Sequence, residues 1–80
     1  MKQQYYESSD RLEIDLLKRY ALILLAECRD DPAAVLRARV RSTLTHEQLL
    51  RLRGAMFECI SMHLGEAEAM DRIRSLDNSA

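Results

Sequence analysis

Apolar positions in this chain recur at the spacing of helices rather than strands. In the first third, Leu12, Ile14, Leu16, Leu17, Tyr20, Ala21, Ile23, Leu24 and Leu25 fall on a helical arc of roughly 220°. An ordinary amphipathic stripe needs about half of that. The run Tyr20-Ala21-Leu22-Ile23-Leu24-Leu25-Ala26 is apolar on every side, because Leu22 and Ala26 lie outside even the wide arc. Such a helix needs cover from more than one direction. It is either wrapped by the rest of the chain or forms the seam of a dimer. The dimer is the favoured reading, with a two-fold symmetric pair as the default arrangement. Leu16, Tyr20, Ile23 and Leu24 are the expected interface residues.

Start and stop signals divide the remainder. Asp10 and Glu13 have capping-box spacing and predict a first helix over 10–29, after a flexible leader at 1–8. Asp30-Asp31-Pro32 ends that helix and opens a second over 32–42, with Asp31 as its cap. Thr45 and Gln48 form another capping box, so a third helix begins near His46 and runs to about Leu64. Its apolar face is Leu49, Leu50, Leu52, Met56, Phe57, Ile60 and Leu64, which is expected to aid association. Gly54 falls inside this helix at a cost of roughly 1 kcal/mol; close approach of another helix would justify it, and simple tolerance is the alternative. Gly65 either breaks or kinks the chain before a last short helix over 66–76, and residues 77–80 are expected to fray.

Composition narrows this to one all-α domain, a small bundle of three to four helices packed as a homodimer through the first. The chain has 80 residues, 48% hydrophobic and 31% charged, with two glycines and one proline. That is too few turn-formers for a many-stranded sheet. A core of this size rarely supplies more than about 3–5 kcal/mol, so oligomerisation is a common supplement. The seven-residue apolar run is far short of the roughly 20 residues that span a bilayer. With no recognisable signal peptide, the expected location is the cytoplasm.

Charge is balanced overall at −1 but unevenly spread. Residues 29–53 hold six arginines against three acids, residues 1–28 four bases against five acids, and residues 54–80 two bases against five acids. The basic middle invites three readings: intramolecular pairing with the acidic last helix, contact with an acidic protein or a second copy, or contact with nucleic acid. Arg37, Arg41, Arg51 and Arg53 are the expected partner-binding residues. Arg53 projects near the centre of an apolar face, where a charge must find a carboxylate, reach water along its stem, or meet a partner. The nucleic-acid alternative takes a helix-turn-helix form over residues 33–53, with Gln48 and Arg51 reaching base edges and Arg37, Arg39 and Arg41 on the backbone. The usual turn glycine is lacking, and the chain is not basic.

Catalytic signatures are sparse. His46 and His63 lie seventeen residues apart, and no glycine-rich phosphate loop exists. Cys28 and Cys59 have no metal-motif spacing and read as reduced, small apolar residues. Cys59 and His63 share a helix face at i, i+4, a spacing that suits two metal ligands or an activated thiolate only if further groups join them. No catalytic, metal or cofactor residue is assigned. The expectation is a non-enzymatic protein–protein interaction module, a regulator, inhibitor or adaptor acting by occlusion or scaffolding.

Overall fold

A computed structural model describes residues 2–79, with side chains from Glu13 onward. It contains five helical segments and no strand among the described residues: α1 (Lys2–Leu24), α2 (Asp31–Ser42), α3 (His46–Leu50), α4 (Arg53–Leu64) and α5 (Glu66–Ser79). A turn at residues 51 and 52 separates α3 from α4, so the two make one jogged element and the bundle has four. The chain is all-helical, and no described helix is long and apolar enough to cross a membrane.

Local chemistry accounts for most boundaries. Asp30, one residue earlier than expected, caps α2: its Oδ1 accepts from Ala33 N at 3.0 Å, with proline in the first turn. Thr45 caps α3 by accepting from Gln48 N at 3.1 Å, and Gln48 Oε1 accepts in return from Leu44 N at 2.8 Å. Gly65 adopts φ +91°, a backbone region that favours glycine, and separates α4 from α5 outright. The last helix continues past Leu76 to Ser79, whose hydroxyl donates to Ser75 O.

Three boundaries differ from the sequence expectation. Helix α1 begins at Lys2 rather than near Asp10, and the side chains of the expected leader lie outside the described residues. It also ends at Leu24 rather than Arg29, tightening through Leu25 N to Ala21 O and Leu22 O, and Ala26 N to Ile23 O. The third helix is interrupted at Arg51–Leu52, which puts Gly54 in the first turn of α4. Nothing lies within 4 Å of where its Cβ would be, so close helix approach is not the reason for this glycine.

The core runs the length of the bundle. Leu25, Leu49, Met56, Ile60, Leu76, Val40 and Cys28 are its largest fully buried side chains. Helices α4 and α5 form an antiparallel-type hairpin about Gly65, and α1 packs against α2, α3 and α5. The apolar run of α1 is largely absorbed here: Ala21, Leu24 and Leu25 are buried, Leu22 is half-buried, and Ile23 and Ala26 are exposed. The expected apolar face of the third helix is spent in the same way, with Leu49, Leu52, Met56 and Ile60 buried.

Candidate functional site

Three features of the surface and near-surface bear on function: a stripe on α1, the arginines of the middle segment, and a thiol–imidazole cluster.

The stripe consists of Leu16 and Ile23, 63% and 65% exposed, with half-buried Tyr20 beside them. Positions 16, 20 and 23 follow i, i+4, i+7 and share one side of the helix. Beside it lies a shallow hollow of about 400 Å³ lined by Glu13, Leu16, Leu17, Tyr20, His46 and Ser79. Leu24 does not belong to this surface. At 8% exposure it packs in the chain's own core, because it sits about 80° around the helix from Leu16, toward Leu17 and Ala21.

The arginines divide by partner. Arg37 is half-buried and turns inward, donating through Nη1 to the carbonyl oxygens of Leu25, at 3.5 Å, and Cys28. Arg53 Nη1 binds Asp77 Oδ1 at 2.9 Å, and its Nε donates to Leu50 O. Arg51 pairs with Glu47 one turn earlier, on an exposed surface. Only Arg41, of the four expected contact residues, is exposed with no hydrogen bond or ion pair among the described residues; Arg39 joins it. Three of the four are thus engaged within the chain. Gln48, the other expected base-reading residue, is held in its cap.

Arg72 was not singled out from the sequence, yet it is the most connected charged side chain. It donates to Leu24 O at 2.9 Å, to Glu27 Oε1 at 3.1 Å and to Glu68 Oε1 at 2.8 Å, and only 17% of its side chain is exposed. Its pKa is raised, first by the Glu68 hydrogen bond and then by Glu27, against the opposing effect of burial. Together Arg72 and Arg37 supply donors to carbonyls at and just beyond the end of α1, where positive charge also complements the helix dipole. These guanidiniums explain how the helix stops five residues before the expected site. The only sequence signal was the i, i+4 pair Glu68/Arg72.

The cluster forms at the same end of α1. Cys28 in the post-α1 turn meets Cys59 and His63 of α4, and one ligand-capable atom from each lies within 4.8 Å of the other two. Cys28 is fully buried and Cys59 is 9% exposed. Burial, reinforced by the neighbouring Cys28 thiol and Asp30, pushes the Cys59 pKa up to about 11, so its proton is held firmly in the absence of a cation. His63 Nδ1 lies 2.8 Å from Cys59 O, and its Nε2 lies 3.4 Å from Asp30 Oδ2. A groove of about 220 Å³ between α2 and α4 is lined by Asp30, Cys59 and His63, together with Val35, Arg39 and Met62. Cys28 and Cys59 are free, buried thiols as expected, and folding brings Cys28 to the i, i+4 pair across 31 residues of chain.

The chain matches no family model, no curated protein and no solved structure. What fold and surface define is a small all-helical bundle with an apolar stripe exposed on α1.

Proposed function

We propose that this protein is a small non-enzymatic interaction module that works as a homodimer packed through α1, and that engages a further, acidic protein surface by occlusion or scaffolding. The observation that carries the reading is the exposure of Leu16 and Ile23 on one side of a helix in which Ile14, Leu17, Ala21 and Leu24 are buried. An isolated exposed leucine is ordinary; two on one stripe, next to a hollow lined by Leu16, Leu17 and Tyr20, offer a ridge and a seat for it. A second copy suits this surface. A two-fold pair sets the ridge and hollow of one copy against those of the other. On α2, exposed Arg39 and Arg41 carry positive charge of the basic middle with no hydrogen bond or ion pair among the described residues, which supports contact with carboxylates.

The test is the double variant Leu16→Glu/Ile23→Glu, with Val35→Glu as the control, because Val35 is equally exposed but lies on α2. Gel filtration with light scattering is expected to give a dimer for the parent and for Val35→Glu, and a monomer with unchanged helicity for the double variant. A parent that is monomeric, or a double variant that associates as the parent does, refutes the α1 seam.

A further inference from the structure

We propose that Cys28, Cys59 and His63 form a site for a zinc-class divalent cation, open on its fourth side to the groove between α2 and α4. The donor set is the first reason. Two thiolates and an imidazole suit Zn²⁺ and disfavour Ca²⁺ and Mg²⁺, which take oxygen ligands. Geometry is the second. Bond lengths of about 2.3 Å to sulfur and about 2.0–2.1 Å to nitrogen place tetrahedral ligand atoms about 3.3–3.8 Å apart. The three atoms here are already within 4.8 Å of one another, so side-chain movements of up to about 1 Å close the set.

Orientation of the histidine is the third reason. A carbonyl oxygen can only accept, so His63 Nδ1, at 2.8 Å from Cys59 O, carries a proton. That leaves Nε2 as the atom able to bind a cation. A backbone carbonyl holding one ring nitrogen while the other faces a ligand is the usual outer-shell arrangement of metal-bound imidazole. Nε2 faces Asp30 Oδ2 at 3.4 Å. The carboxylate thus stands beside the ring nitrogen left free to bind a cation. Asp30, Cys59 and His63 all line the groove, which gives a cation an entry path and leaves the fourth position to the Asp30 carboxylate or a water molecule.

Binding releases the two thiol protons to solvent and involves no change of oxidation state. Arg37, which donates to Cys28 O, lies close enough to Cys59 to favour its thiolate. With metal in place, α4 and the turn leading from α1 to α2 are tied at one point. The site lies within a single chain, so its test is independent of dimerisation.

The chelator-treated full chain is titrated with Co²⁺ as a spectroscopic probe, then with Zn²⁺. The expected result is sulfur-to-cobalt charge-transfer absorption with tetrahedral d–d bands, saturating at one equivalent per chain and displaced by Zn²⁺, with a higher melting temperature for the zinc form. Cys59→Ser and His63→Ala are expected to abolish the thiolate spectrum or weaken binding at least about tenfold, while Met62→Ala, on the groove rim, retains it. Circular dichroism of the metal-free variants checks that they fold. Should a variant not fold, the parent titration decides. A parent with two titratable thiols that gives no thiolate–cobalt band and no zinc-dependent shift in melting overturns the site, as does a parent isolated with Cys28 and Cys59 oxidised to each other.

Discussion

Replacing Arg72 by methionine keeps most of the side-chain length and removes the charge and every donor. Three interactions go with it. The bond to Leu24 O is charge-assisted and shielded, on a side chain 17% exposed, and is worth about 1.5–3 kcal/mol. The pairs with Glu27 and Glu68 involve carboxylates that are 59% and 46% exposed, so each contributes only about 0.2–1 kcal/mol. The expected loss is about 2–5 kcal/mol. An 80-residue domain at about 0.05–0.15 kcal/mol per residue has about 4–12 kcal/mol in all, so the variant gives up a large share of it. At about 4–8 °C per kcal/mol for this size, the melting temperature falls by about 8–40 °C. Urea and thermal unfolding followed by far-ultraviolet circular dichroism measure both quantities. Glu27→Gln and Glu68→Gln separate the contributions, each costing less than about 1 kcal/mol. The carbonyl bond should also be less sensitive to salt than the two ion pairs. A methionine variant within about 0.5 kcal/mol of the parent would refute the idea that Arg72 holds the end of α1, because that is the range of an ordinary surface substitution.

Three further outcomes follow from the same structure. Arg37→Glu should destabilise the fold, since it removes the donor to Leu25 O and Cys28 O, whereas Arg41→Glu should stay within about 0.5 kcal/mol; equal effects in urea melts would contradict the inward placement of Arg37. Thr45→Ala should cost about 1 kcal/mol by removing the cap on Gln48 N, read in the same melts. In the metal-free chain, Cys59 titrates near 11 when folded and near 9.0 when unfolded. The folded state therefore holds this proton longer: the contribution is fully present below pH 9 and is lost as pH rises toward 11, by up to about 1.4 kcal/mol per pH unit. Cys59→Ser should flatten that part of the stability profile.

What the sequence made legible was local. Thr45 with Gln48 and Pro32 in a first turn are decided by groups within four residues of one another, and both are found where the pattern places them; Gly65, which the pattern allows as either a break or a kink, is a break. The end of α1 was not legible, because the groups that relieve its carbonyls come from Arg37 on α2 and Arg72 on α5, the latter 48 residues from Leu24. Arg53, expected to need a carboxylate or a partner, finds Asp77 on α5, 24 residues away. The acidic last helix thus meets part of the basic middle, as one of the three charge readings held. Cys28 could not be joined to Cys59 and His63 by spacing, since only the docking of the turn after α1 on α4 brings them together. The breadth of the apolar arc on α1 has a similar origin. Among the described residues, most of that arc is covered by the chain's own helices, and Leu16 and Ile23 are the large aliphatic side chains of α1 left exposed.

That surplus is the central claim, and sedimentation equilibrium of the parent chain over a dilution series addresses it directly. The account predicts a mass approaching twice 9.3 kDa at high concentration, falling toward a single chain on dilution along one reversible monomer–dimer curve. A mass of 9.3 kDa at every concentration, up to the limit of solubility, would contradict it.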